Sequence, residues 1–116
     1  MAENKRNIGA QKEALALKYL QQQGVRILDT NFYFYGGELD IVAMDGEYLC
    51  FIEVKYRKNT SYGYPEEAVT PAKQRKILQG ARQYLHYKHY PEDTPCRFDV
   101  IAIYREEITW IQNAFF

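Results

Sequence analysis

The apolar and polar positions in the middle of the chain read as two β-strands joined by a tight turn. The first half of that stretch is Gly37-Glu38-Leu39-Asp40-Ile41-Val42-Ala43-Met44, and Asp45-Gly46 follows it. The second half is Glu47-Tyr48-Leu49-Cys50-Phe51-Ile52-Glu53-Val54-Lys55. Both halves are rich in β-forming residues, and Asp-Gly between them signals a hairpin with a two-residue turn. With Asp45 and Gly46 as the turn, Met44 faces Glu47, Val42 faces Leu49, Asp40 faces Phe51 and Glu38 faces Glu53. Strand side chains alternate between faces. One face then carries Leu39, Ile41, Ala43, Tyr48, Cys50, Ile52 and Val54, all suited to a core. The other carries Glu38, Asp40, Glu53 and Lys55 at one end, beside Val42, Leu49 and Phe51.

Around this hairpin the period changes. From about Asn7 to Gln23 the spacing is helical, with Asn7 as a cap, Gly24 as a left-handed stop, and an apolar stripe of Ala10, Ala14, Leu17 and Leu20. Glu13 falls on that stripe, where it either needs a partner or reaches water at the stripe's edge. Val25–Leu28 reads as a short strand, Asp29-Thr30-Asn31 as a turn, and Phe32-Tyr33-Phe34-Tyr35 as an aromatic stretch leading through Gly36-Gly37 into the hairpin. Residues Lys58 to Pro65 read as a loop close to the polar end of the hairpin. Thr70-Pro71 opens a second helix, with Thr as cap and Pro in the first turn. Ile77, Leu78, Ala81, Tyr84 and Leu85 are its expected buried stripe, and Lys73, Arg75, Lys76, Arg82 and Lys88 make much of the rest basic. His86 and His89 lack further ligands for zinc and read as surface residues. After a loop from Pro91 to Pro95, Phe98–Tyr104 is a continuous apolar strand suited to a sheet interior. Arg105-Glu106-Glu107 turns into a last strand, Ile108–Ile111. The order implies a single α/β domain, a mixed sheet with helices packed on its faces.

Composition narrows the function classes. A chain of 116 residues with 47% hydrophobic and 26% charged residues is ordinary for one globular domain. Its formal net charge of zero excludes a global basic field, so any polyanion site is a local patch. Cys50 and Cys96 form no metal-ligand spacing and read as small buried hydrophobes in a reducing compartment. The N-terminus lacks the apolar segment of a signal peptide, and no run reaches transmembrane length, so a cytoplasmic protein with no membrane partner is expected.

The acidic end of the hairpin is the candidate chemistry. Carboxylates opposed on a sheet repel each other by a few tenths of a kcal/mol to about one, and burial makes each charge worse. A hard divalent ion relieves both, because Mg²⁺ takes carboxylate oxygens and water. Asp40 and Glu53, diagonal neighbours in this register, can converge on one ion, and Lys55 can meet developing negative charge. This chemistry suits metal-assisted hydrolysis of a phosphodiester. Acidic pairs neutralised by Lys55 and Arg57 on an exposed sheet face would be the inert alternative.

Glu13, Asp40 and Glu53-Val54-Lys55 together resemble the active-site signature of the PD-(D/E)XK nuclease superfamily. The resemblance narrows through Gly9-x-x-x-Glu13-x-x-Ala16, Gly36-Gly37-Glu38-Leu39-Asp40-Ile41-Val42, Phe51-Ile52-Glu53-Val54-Lys55-Tyr56-Arg57, Lys73, Arg97-Phe98-Asp99-Val100 and Gln112-Asn113-Ala114-Phe115. These resemble the YraN family of small bacterial endonuclease-like proteins, distantly similar to archaeal Holliday junction resolvases. The resemblance implies a restriction-endonuclease-like fold. It implies Mg²⁺ or Mn²⁺ on Asp40, Glu53 and the Val54 carbonyl, with Glu13 contributing directly or through water. Lys55 would position water or stabilise the transition state, and Glu38 would play a supporting role. The family usually carries arginines before Gly-Gly-Glu, where this chain has Tyr33 and Tyr35; tyrosines there can stack on unpaired bases. Arg57, Lys58, Lys73, Arg75 and Lys76 remain as candidate phosphate contacts. Two functions follow as expectations. One is a metal-dependent, structure-preferring nuclease, with DNA favoured over RNA and a homodimer supplying paired cuts. The other is a non-catalytic module that binds nucleic acid or a partner in repair or recombination.

Overall fold

The computed structural model describes residues 5–59, 63 and 69–116. Most of the loop expected between Lys58 and Pro65 lies outside the described residues. The elements are α1 (Lys5–Gln22), β1 (Arg26–Phe34), β2 (Gly37–Asp45), β3 (Tyr48–Arg57), α2 (Pro71–Tyr87), β4 (Cys96–Tyr104) and β5 (Glu107–Ile111). The strands form one sheet in chain order, β1-β2-β3-β4-β5, with β3 in the middle. Neighbours are antiparallel except β3 and β4, which are parallel and so require the crossover that carries α2. The fold is the expected mixed α/β class, consistent with a restriction-endonuclease-like architecture.

Each helix covers one face of the sheet. Ala16 and Leu20 of α1 pack with Val25, Ile41, Ala43, Cys50, Ile52, Ile101 and Ile103. Ile77, Ala81 and Tyr84 of α2 pack with Leu39, Val42, Leu49, Phe51, Phe98, Val100 and Ala102. Strands β2, β3 and β4 are therefore apolar on both faces, as strands covered by helices on each side must be. Among the described residues, no helix is long and apolar enough to cross a membrane.

Helix ends follow local chemistry. Gly24 takes φ 85°, and the Val25 N–H donates to the Leu20 carbonyl at 3.0 Å, closing α1 with the expected glycine stop. Thr70 caps α2 by accepting from the Lys73 N–H at 3.3 Å, with Pro71 in the first turn. The expected cap at Asn7 is corrected: α1 already begins at Lys5. Its expected stripe rotates too, because Ala10 and Ala14 are exposed while Ala16 is buried. Small alanines give the stripe little contrast, and the larger Leu17 and Leu20 set which side faces the sheet.

Three strand expectations are also corrected. Asp29-Thr30-Asn31 is no turn; it lies within the nine-residue β1, which carries an extra residue between Ile27 and Asp29. Asn31 does take a left-handed turn-like backbone, φ 53°, inside the strand. The hairpin loop residues are Gly46-Glu47, since Asp45 pairs with Tyr48. Gly46, at φ 61°, supplies the positive φ of the first loop position. Val42 accordingly faces Phe51 and Met44 faces Leu49. Finally, Leu39 leaves its expected face and packs under α2, and Tyr48 is 41% exposed at the hairpin end. The last hairpin is tighter than expected, with β5 starting at Glu107 opposite Tyr104 and Arg105 at φ 57° in the turn.

The two free cysteines are Cys50, buried, and Cys96, partly buried at the start of β4. His86 and His89 are exposed. A buried ion pair locks the far end of the sheet. Asp99 is fully buried and takes the Arg97 guanidinium through Nε at 3.0 Å and Nη2 at 2.9 Å. It also accepts from Trp110 Nε1 and the Asn113 N–H, each at 2.9 Å, while Arg97 reaches Asp45 at 2.8 Å. Removing one partner of such a pair strands the other charge in the interior. Arg97→Met is expected to destabilise the protein by about 3–5 kcal/mol in chemical denaturation. A loss below about 1 kcal/mol would mean that Asp99 does not depend on this guanidinium.

Candidate metal and phosphodiester site

The backbone ladder between β2 and β3 runs from Asp45 opposite Tyr48 to Ile41 opposite Ile52. At the next position, side chains bond backbone across the two strands. The Val54 N–H donates to Asp40 Oδ2 at 2.9 Å, and the Asp40 N–H donates to Glu53 Oε2 at 3.3 Å. These two bonds hold Asp40 and Glu53 against each other across the strands, as the expected convergence of the two acids requires. The hairpin turn sits one residue later than expected, which moves the partners of Ile41 to Met44 by two and keeps those side chains on their faces. On its other side, Glu38 pairs with Tyr33 of β1.

Around this clasp the chain assembles charge. A cavity of about 470 Å³ is bordered by Glu38, Asp40, Glu53, Thr70, Lys73 and Lys76, with Phe34, Gly36 and Gly37 as one wall. Glu53 is only 2% exposed; burial first, and then the charge of Asp40, push its carboxyl up from 4.5 to about 7. Burial, then contact with the Lys73 side chain, pulls the Lys55 ammonium down from 10.5 to about 8. Glu38 is raised by burial and by Asp40, with Lys73 opposing. Glu13 is raised by burial and by Asp40, while a hydrogen bond from Asn31 opposes. A second groove joins Glu13 and Glu38 along Thr30, Asn31 and Tyr33.

Several expected contacts therefore gather here: Asp40, Glu53, Lys55, Lys73 and Lys76, with Glu38 and Glu13 in electrostatic reach. Others do not. Lys58 borders a separate groove with Lys12, Tyr56 and Arg105. Arg57 donates to the Tyr56 carbonyl at 2.9 Å, and Arg75 is exposed on α2 without bordering the cavity. Asn31, the partner of Glu13, was missed as a site residue. Its turn-forming character signalled the left-handed backbone but not its place within a strand.

Among the described residues, no three acidic, histidine or cysteine side chains enclose a common point. A Mg²⁺ ion does not need such a cage, since one or two carboxylates with water and substrate phosphate suffice. Asp40 and Glu53 fit that description. Both are hard oxygen donors, each spends one oxygen on a backbone N–H, and each has a second.

The profile of Uncharacterised protein family UPF0102 matches residues 12–103. A UPF0102 protein of Lachnoclostridium phytofermentans is 51% identical over 112 residues, covering 97% of this chain and 95% of its own. One from Vibrio campbellii is 48% identical, covering 96% and 93% of the two chains, and one from Chlorobaculum parvum is 52% identical, covering 83% and 74%.

The raised Glu53 carboxyl has a measurable sign. Its folded-state pKa lies above the unfolded one, so its favourable contribution is complete below about pH 4.5 and is lost as pH rises through about 7. In chelator, Glu53→Gln is expected to gain about 1–3 kcal/mol on the wild type between pH 5 and pH 8. A gap of equal size at both pH values in urea denaturation would refute this.

Proposed function

Because the chain belongs to the UPF0102 family, the YraN family its motifs resemble, and because it brings the buried Glu53 and the half-buried Asp40 beside two lysines, we propose that it is a metal-dependent nuclease. The observation that carries this reading is the Asp40–Glu53 clasp, with Lys55 held next to it and Lys73 facing it from α2. A carboxylate at 2% exposure, Glu53, held against the half-buried Asp40 is a costly arrangement for a purely structural role, and a divalent ion relieves the repulsion. Asp40, Glu53 and the Val54 carbonyl would hold Mg²⁺ or Mn²⁺, with Glu13 directly or through water, and Glu38 supporting. When bound, such an ion polarises a phosphoryl oxygen and lowers the pKa of its water.

The chain's own residues supply the rest. Lys55, with its ammonium partly destabilised by burial and Lys73, is poised to hold a proton near the attacking water or to balance charge on the pentacovalent phosphorus. Lys73 and Lys76, on the wall of the same cavity, attract the phosphates that bring a strand into it. With a net charge of zero, that attraction is local and not a field of the whole protein. DNA is the favoured substrate, and a homodimer would place two such sites for paired cuts. A non-catalytic nucleic-acid-binding role is the second reading, favoured by the exposed Tyr33 and Tyr35 where cations would serve a nuclease better.

Purified protein is expected to cut branched or single-stranded DNA in Mg²⁺ or Mn²⁺, with at least about a hundredfold loss in Glu53→Ala/Lys55→Ala. Mn²⁺ is also expected to raise the melting temperature of the wild type but not of Asp40→Ala. Folded protein that neither cuts any substrate nor responds to Mn²⁺ would establish the binding module instead.

A further inference from the structure

Along α2, Lys73, Lys76, Gly80, Gln83 and Tyr87 recur at intervals of three and four residues. Such spacing places them in one row on the helix. At 1.5 Å rise per residue the row is about 21 Å long. Its first part, Lys73 and Lys76, borders the acidic cavity. Its last part, Gln83 and Tyr87, borders a groove of about 540 Å³ with Tyr33, Tyr35 and Lys88.

The two depressions are joined by Phe34, which borders both. Its ring lies so close to α2 that a Cβ on Gly80 would stand 2.5 Å from it. On the other side, a Cβ on Gly37 would stand 3.0 Å away. The two glycines make a slot for this ring and let the end of the β1–β2 hairpin lie on the helix. Gln83 Nε2 reinforces the contact by donating to the Tyr35 carbonyl at 3.3 Å. The result is one track, with a helix on one side and a hairpin end on the other.

The two ends of the track differ in chemistry. The Lys73–Lys76 end is cationic over acids. At the other end Lys88 is paired with Asp29 at 3.6 Å, so the lining is close to neutral. Three rings there face water: Tyr33 is 75% exposed, Tyr35 90% and Tyr87 66%. Rings offered to solvent beside a phosphate-attracting wall fit a ligand with anionic links and flat apolar faces. Duplex nucleic acid hides those faces in its stack; an unpaired strand offers them.

We infer that a single unpaired nucleic-acid strand lies along this track, its phosphates at the Lys73–Lys76 end and its bases stacked on Tyr35, Tyr33 and Tyr87. The inference rests on the nuclease reading, which makes the acidic cavity the place of the phosphodiester. It names the substrate as single-stranded at the cut, with affinity drawn from ring contacts as much as from charge.

Binding is measured by fluorescence anisotropy in chelator with full-length Glu53→Gln protein, so no cleavage is needed. The probes are a short oligothymidylate, a duplex of equal length, and an abasic strand with the same backbone and no bases. The oligothymidylate is expected to bind tightest. Tyr33→Ala/Tyr35→Ala should weaken that binding about tenfold or more while leaving the salt dependence unchanged. Tyr33→Phe/Tyr35→Phe should restore it, since the ring suffices. Lys73→Ala/Lys76→Ala should weaken all three probes and flatten the salt dependence. Equal binding of abasic and base-bearing strands, or an unchanged Tyr33→Ala/Tyr35→Ala variant, would overturn the track. Failure of the nuclease reading would show separately, as wild-type protein that binds strands and never cuts them.

Discussion

Two side chains join β2 to β3 just beyond the pair Ile41 and Ile52. Asp40 accepts from the Val54 N–H and Glu53 accepts from the Asp40 N–H, so each carboxylate fixes the other's strand. Glu53 lies buried on the central strand, and that burial and the nearby charge of Asp40 raise its carboxyl to about 7, while the bond from the Asp40 N–H pulls the other way. Everything proposed for the site follows from this coupling of architecture and charge. Lys73 arrives from the N-terminal turn of α2, Lys55 from two residues further along β3, and Glu13 from the opposite helix. Their charges converge on two acids that the fold cannot separate without opening the hairpin.

The placement of cations follows the same economy. Net charge is zero, and the most deeply engaged guanidinium, Arg97, is spent inside the protein on Asp99 and Asp45. What remains for a polyanion is local. The first turns of α2 carry Lys73, Arg75 and Lys76 and no acid, against the usual preference of a helix N-terminus for negative charge. That local disadvantage is intelligible where the helix end faces a cluster of carboxylates.

Element order, both helices and the acid–lysine constellation were readable in the sequence because each rests on strong local signals. Thr70-Pro71 and Gly24 fix helix ends, and the alternation from Glu38 to Lys55 fixes a hairpin. The turn was misplaced by one residue, since Asp-Gly and Gly-Glu both offer a glycine able to take positive φ. That error was harmless to the faces, because it moves partners in steps of two. The departures of Leu39 and of the Asp29–Asn31 segment were not readable. A left-handed residue within a strand, as at Asn31, normally ends it, and only pairing with β2 keeps β1 continuous. The rotation of α1 was equally hidden, because alanines at positions 10, 14 and 16 look alike until a sheet chooses among them.

The parallel pairing of β3 with β4 also orders events in time. Asp40 and Glu53 are 13 residues apart and meet within a hairpin, a short loop to close. The neighbour that completes the burial of Glu53, Val100 on β4, is far along the chain and reached only through the α2 crossover. Local hairpins form fast and distant parallel strands slowly. The carboxylates therefore meet in water and are desolvated only as the sheet is completed. Full burial of Glu53 thus belongs to the completed sheet, so the pH dependence it confers is a property of the whole domain and not of the hairpin alone.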